Sequence, residues 1–468
     1  MDKFFKITEH GSTVKTEVIA GFTTFFAMAY IIFVNPNQVT GFTEGLTDIW
    51  NAVYVASILA ATIGTLLMSL YAKMPFAQAC GMGLNSFFFV SFILPQVIAG
   101  GDCVQGYQAG LVIVLISGLI FMILSLTGAR QYIAKAMPEC LKKAIPAGIG
   151  LFITYIGFQN VGIIQANQYT LTQFVDIHGA INGEGGIMTV LPALLALAGF
   201  LIIVILGKRN VKGNVLLGIL ITAVLYYLIS GTVPSFDITQ IGQSFKDFAS
   251  IGVTGVFHAA SWKHAFSPEF VGGVFSAILY IITFCLIDMF DTIGTLYGTA
   301  AQADLLDENG DPQNLDKCMA CDSIATVSGA VLGTSTCTTF VESASGVAAG
   351  GRTGLTSLVV SICFFVCLFL TPLASVVPAC ATAPALIYVG VLMLGNFKNV
   401  DMSDLGSSAP AFLTLITMPL TYSIANGIGI GSIAYTIIAI FTGKFQKKDI
   451  MVAIIGLLFC LKFIFITM

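Results

Sequence analysis

The sequence predicts an all-α polytopic membrane protein with about fourteen transmembrane segments. They form two inverted seven-span repeats, with short broken segments in spans 3 and 10. Three observations carry this expectation: a composition too apolar to face water, basic residues confined to alternate loops, and paired interruptions of the hydrophobic pattern. A soluble chain of 468 residues would divide into two or three domains. Here hydrophobic residues reach 56% and charged residues only 9%, against about 25% charged in soluble chains. With a mean hydropathy of +0.92, the chain cannot cover a water-facing surface. That excludes a soluble enzyme and a disordered protein.

A crossing needs about 20 mostly apolar residues. Candidate spans are 18–36, 51–70, 76–95, 110–128, 145–164, 190–207, 214–231, 270–291, 320–333, 335–349, 353–373 and 377–395. The stretch 409–442 would be about 50 Å long as one helix, against a hydrocarbon core of about 30 Å. It holds Pro419 and the glycine-rich run from Asn426 to Gly431, so it reads as two passes with a tight bend. The segment 451–467 reads either as an extra pass or as an interfacial helix.

Basic residues set the orientation. Lys3, Lys6 and Lys15 precede the first span, Lys73 follows the second, and Arg130, Lys135, Lys142 and Lys143 follow the fourth. Lys208, Arg209 and Lys212 follow the sixth, whereas loops 37–50, 96–109 and 165–189 contain no Lys or Arg. The N-terminus is therefore expected to be cytoplasmic. It lacks a signal-peptide core, so the first span is expected to act as a signal anchor.

The net charge of −4 is weak and evenly spread, which argues against a nucleic-acid partner. Most of the eleven cysteines sit in apolar runs and read as small hydrophobes. Cys318-x-x-Cys321 has no second pair or His nearby, so it reads as small residues at a helix start. The four His fall in loops. In the acidic loop 299–317, Pro312 stands where a calcium loop needs Gly, so that loop reads as a solvated connector. No nucleotide-binding, zinc, selectivity-filter or nucleophile-elbow motif is present. No metal and no cofactor is expected.

The two halves resemble each other. Spans one and eight share an aromatic, small-residue pattern ending in Tyr-Ile-Ile, and Pro146-Ala147 in span five matches Pro378-Ala379 in span twelve. The broken segment around Gly81-Met82-Gly83-Leu84-Asn85 occupies the same place in its half as Thr338-Thr339-Phe340-Val341-Glu342 does in the other. Seven spans per half, an odd number, makes the copies opposite in topology. Paired interruptions of this kind point to a transporter site, because backbone freed at mid-membrane must find partners.

Carboxylates inside a membrane cost at least about 2.5 kcal/mol on insertion scales, so their presence suggests function. Asp288 and Asp291 are read as closing span eight on one helix face, and Glu342 sits in the broken segment of span ten with Asn85 as its neutral counterpart. Two nearby carboxylates in a dry site cannot both ionise easily, so Asp288 and Asp291 are the candidate proton-coupling pair. The other acid can accept from ligand N–H groups. Asp322 reads as an N-terminal helix cap of span nine. Thr339 joins the substrate-binding candidates as part of the broken segment. Among the aromatics, Phe25, Phe26, Tyr30, Phe87 and Phe88 are candidates to stack on a flat ligand, with Phe26 taken forward.

The runs KTEVIAGFTTFFAMAYIIFVNP (15–36), CGMGLNSFFF (80–89), DMFDTIGTL (288–296), GTSTCTTFVESASGVAAGGRTGLT (333–356) and PAFLTLITMPLTYSIANGI (410–428) resemble the AzgA-like purine permeases. These are a branch of the nucleobase–cation symporter-2 family. The resemblance implies a cytoplasmic N-terminus (1–17) and a core domain of spans 1–4 (18–128) and 8–11 (270–373). A gate domain of spans 5–7 (138–232) and 12–14 with the C-terminal segment (377–468) packs beside it, and 233–268 is an extracellular loop. It implies a purine nucleobase bound between spans 3 and 10, with Asn85, Asp288, Asp291 and Glu342 matching recognition positions and Gly83 beside them. Members import guanine, hypoxanthine or adenine with protons across the plasma membrane, and they often dimerise, which makes a homodimer an expected partner. Cys337, Ser86 and Ser345 depart from the branch's usual residues and bear on ring specificity. Adenine or xanthine transport, sodium coupling, and an anion carrier of the same fold remain the alternatives.

Overall fold

A computed structural model describes residues 2–127, 137–183, 186–234, 236–302, 305–306 and 312–465. Ten helical segments among them are long and apolar enough to cross a membrane. Four shorter or more polar crossings complete fourteen: Asn214–Ser230, Leu315–Leu332, the strand and half-helix from 337 to 348, and Leu405–Leu420. The protein is an integral multi-pass membrane protein, and its fold is the inverted repeat of seven spans.

Span one is split into α1 (Val14–Met28) and α2 (Ile31–Val39), with Ala29 and Tyr30 at the break. Span two is α3 (Thr47–Leu67). Span three opens with strand β1 (Gln78–Cys80) and continues as α4 (Met82–Phe88), and span four is α5 (Cys103–Thr127). Spans five to seven are α6 (Glu139–Asn160), α7 (Leu191–Lys208) and α8 (Asn214–Ser230). A small hairpin of β2 (Ile164–Asn167) and β3 (Leu171–Phe174) separates α6 from α7.

Span eight is α9 (Gly273–Gln302) and span nine is α10 (Leu315–Leu332). Span ten mirrors span three, with strand β4 (Cys337–Thr339) leading into α11 (Ser343–Ala348). Then follow α12 (Gly354–Val366), α13 (Ala379–Leu394), α14 (Leu405–Leu420) and α15 (Ile424–Phe441). Helices α1, α3 and α5 pack on α10, α11 and α12, whereas α6, α7 and α8 pack on α13 and α14. Where the two groups meet, α4 touches α6 and α1 touches α8.

Several sequence boundaries shift. Span eight does not end at 291: its helix runs on to Gln302, which puts Asp288 and Asp291 in mid-helix. Pro146 lies inside α6 rather than at its opening. The bend in 409–442 falls at Thr421–Ser423, where Tyr422 adopts φ +52°, and the glycine-rich run lies within α15. Those glycines serve packing: a side chain on Gly429 would meet the Phe459 ring at 2.5 Å. Phe459 belongs to α16 (Ile450–Phe465), which turns back along α15, with Gly456 beside Ile433 and Tyr435 donating to Asp449 at 3.1 Å. The C-terminal segment thus packs along the bundle. Asp304, Asp307, Glu308 and Asp311 of the acidic connector, and Arg130 and Lys135, lie outside the described residues.

Candidate functional site

The two broken spans meet through their backbones. β1 and β4 pair antiparallel in the register Gln78–Thr339, Ala79–Thr338 and Cys80–Cys337. The bonds Gly81 N to Thr336 O (3.0 Å) and Phe340 N to Ala77 O (2.9 Å) extend the pair. Each interruption therefore satisfies the other's peptide groups, which unpaired would cost several kcal/mol each in lipid (about that order). The central pair Ala79–Thr338 is a local dyad. Four residues beyond it lie Gly83 in one half and Glu342 in the other, so Glu342's counterpart is Gly83 and not Asn85.

Glu342 sits at the N-cap of α11, and its Oε1 accepts from the Tyr30 hydroxyl at 2.6 Å. Tyr30 is fully buried at the break in span one. Asp291 lies within electrostatic reach of Glu342 and, like it, is only half-buried. Among the described residues no salt bridge reaches either acid, because the ion pairs (Lys6–Glu9, Lys142–Glu139, Lys444–Asp404) are exposed and elsewhere. Among the described residues, the pair therefore presents carboxylate oxygens that no basic side chain holds in an ion pair.

Behind the strands lies a second, fully buried layer. Asp288 and Thr292, one turn apart on α9, face Thr326 and Asp322, one turn apart on α10. Thr326 donates to Asp288 Oδ2 at 2.7 Å, and Thr292 donates to Asp322 Oδ2 at 2.5 Å. Thr292 also pairs with Thr338 at 2.8 Å. Asp322 further accepts from Gln78 Nε2 (3.1 Å) and Thr339 Oγ1 (3.3 Å). Asp322 is thus no helix cap: it lies within α10 at 0% exposure and ties both strands to α9. One sequence signal was available, since Asp-x-x-x-Thr occurs at 288–292 and again at 322–326.

The other candidates divide. Asn85 is buried and donates to Asn35, which donates in turn to Ser57. Gly83 packs against Ile149 of α6, so it lies on the seam between the two helix groups. The Thr339 hydroxyl is committed to Asp322 and lies in the rear layer rather than beside Glu342. Phe26 is 46% exposed, its ring neighbours are Phe22 and Phe25, and its backbone meets Gly213, none of which belongs to the site. A helix position one turn from the break cannot be aimed from sequence spacing alone. Phe87 packs on Tyr280 and Phe284, and Phe88 on Phe92 and Tyr107, so both are core rings. Sequence reasoning also passed over Glu17. This buried carboxylate accepts from Arg352 N (2.9 Å), Thr353 N (3.2 Å) and Thr356 Oγ1 (2.6 Å) at the start of α12, where a negative charge suits the helix dipole.

Two inverted halves whose interrupted spans cross beside buried acids define a solute transporter rather than an enzyme. A Permease family profile matches residues 15–430, and the chain belongs to that family. It is 42% identical over 473 residues to the Guanine/hypoxanthine permease PbuG of Bacillus subtilis (strain 168), covering 100% of both chains. It is 38% identical over 466 residues to the Adenine permease AdeP of Escherichia coli (strain K12), covering 100% of this chain and 96% of the other. Among solved structures, the transmembrane domain of the cyanobacterium bicarbonate transporter BicA superposes with a TM-score of 0.58 at 14% identity. That match covers 88% of this chain and 96% of that one, and at this identity the likeness is one of fold.

Proposed function

We propose that the protein imports purine nucleobases, guanine or hypoxanthine, across the plasma membrane by proton symport. The observation that carries this reading is the Glu342–Asp291 pair, set where the two interrupted spans cross and free of any cationic partner among the described residues. Oxopurines are flat, neutral and rich in N–H donors, and a carboxylate is the complementary acceptor. An anionic solute would be repelled by the same two groups, which disfavours an anion carrier. A guanine/hypoxanthine permease at 42% identity over the whole chain supports the substrate class, and an adenine permease at 38% makes adenine the second reading.

A neutral solute gains nothing from membrane potential, so its accumulation needs a coupled ion. In this proposal Asp288 and Asp291, on one face of α9, hold the coupling proton, and Asp322 lies within electrostatic reach of both. Spans 1–4 and 8–11 act as the moving core and spans 5–7 and 12–14 as the gate, with the N-terminus in the cytoplasm. The test is uptake of labelled hypoxanthine into proteoliposomes under an imposed pH gradient. Accumulation is expected to collapse with a protonophore and to persist without sodium. Glu342→Ala and Asp291→Ala are each expected to lower uptake at least about tenfold, the loss of one charge-assisted hydrogen bond. Full uptake by Glu342→Ala would remove the site assignment. A competition panel of guanine, hypoxanthine, adenine and xanthine ranks the bases.

A further inference from the structure

A small cavity closes the seam between the two helix groups at the end remote from the N-terminus. It measures about 10 Å³ and is walled by Phe42, Phe89 and Tyr422, with the polar side chains Gln38, Ser86 and Asn160. Gln38 belongs to α2 and Ser86 to α4, whereas Asn160 ends α6 and Tyr422 sits at the α14–α15 bend. The ring is therefore built half from each group. Gly41, at φ +58°, lies flat beneath the Phe89 ring, where no side chain fits.

The polar lining is not satisfied from within. Among the described residues, both amide atoms of Gln38, the Ser86 hydroxyl and the Asn160 Nδ2 have no hydrogen-bond partner, although Gln38 is 1% and Ser86 2% exposed. Buried polar groups almost always find partners, and apolar side chains would close the same seam at lower cost. None of the polar lining residues is charged, so an ion has no counter-charge there. Amides and a hydroxyl between aromatic walls match one kind of solute: flat, neutral, with adjacent donors and acceptors.

We infer that Gln38, Ser86 and Asn160 form an outer docking subsite for the purine base on its way to Glu342, exposed when the two helix groups part. The inference rests on the nucleobase reading above. In the closed seam the cavity holds one water at most. Ser86 directly follows Asn85, so a base leaving this position stays on the same short helix as it approaches the crossing.

The experiment is uptake of labelled hypoxanthine into proteoliposomes by Gln38→Met, Asn160→Leu and Ser86→Ala, each checked first for a normal melting temperature. KM is expected to rise about tenfold for the first two, with Vmax within twofold. Inhibition by unsubstituted purine, which lacks the lactam edge, is expected to stay as in the wild type. If KM does not move, or if hypoxanthine and purine weaken equally, the cavity is only a water pocket in the seam and the inference is overturned. Should Gln38→Met or Asn160→Leu fail to fold, the other carries the same readout. Glu342→Ala in the same preparation separates the two ideas. A wild type that takes up no purine overturns the transport reading itself. Hypoxanthine uptake that is lost in Glu342→Ala yet has an unaltered KM in Gln38→Met and Asn160→Leu overturns only the subsite.

Discussion

Asp322 shows what one side chain does in a dry interior. It accepts from Thr292, Gln78 and Thr339, groups contributed by α9, β1 and β4. Asp322→Ala strands those donors, at about 1–3 kcal/mol for each one left buried and unpaired. The purified variant is expected to melt well below the wild type, and Asp322→Asn, which keeps one carbonyl acceptor, is expected to fall in between. Equal melting temperatures for all three would show that Asp322 does not hold the strands. Asp404 tests the opposite environment. At the start of α14, the Ser407 hydroxyl and the Gly406 N–H hold its carboxyl below the usual carboxylate range. A depressed value stabilises the fold above the unfolded pKa of about 3.9, and that contribution fades as pH falls through the lower folded value. Asp404→Ala is therefore expected to melt slightly lower than the wild type from pH 5 to 7, with the gap closing below about pH 4. A gap that widens in acid would contradict this account.

Among the elements, the half-helix α11 depends on how closely it can approach α1. A side chain at Gly346 would meet the Ala20 carbonyl at 2.7 Å and the Thr24 hydroxyl closer still. Without a hydrophobic drive between helices in lipid, such small-residue contacts decide packing. Gly346→Val is expected to cost about 1–3 kcal/mol through overpacking and to cut uptake by displacing Glu342, four residues earlier. Gly395→Ala, at a position with nothing within 4 Å, is the control and is expected to leave both melting and uptake unchanged. Much at this scale was legible beforehand. The apolar runs located the crossings, and the Gly81–Asn85 and Thr338–Glu342 interruptions marked the two broken spans, because lipid tolerates polar breaks only where protein satisfies them. Helix ends were less legible. Asp288 and Asp322 read as terminal because polar residues usually mark ends, yet Thr326 and Thr292 each donate to one of their carboxylate oxygens across the α9–α10 contact, and both helices continue.

For the molecule as a whole, orientation is the most direct expectation. Lys208, Lys212, Lys444, Lys447 and Lys448 follow spans that return toward the side of the N-terminus, while the hairpin at Ile164–Phe174 lies on the other. In right-side-out vesicles, a membrane-impermeant maleimide is expected to label Tyr169→Cys, at a site 90% exposed, and a protease is expected to cut an N-terminal tag only after lysis. The reverse pattern would invert the proposed direction of import.

Composition and alternating loop charge by themselves determined that this chain lives in a membrane and crosses it about fourteen times, because hydrocarbon and a charged surface sort residues one at a time. The order of broken spans likewise implied two inverted halves. Only the tertiary structure decided which polar groups meet: Tyr30 with Glu342, Asp322 with both strands, and Phe26 outside the site. Those partners lie between 17 and 312 residues apart, or on helix faces whose rotation is set by packing, and local sequence pattern carries neither kind of information.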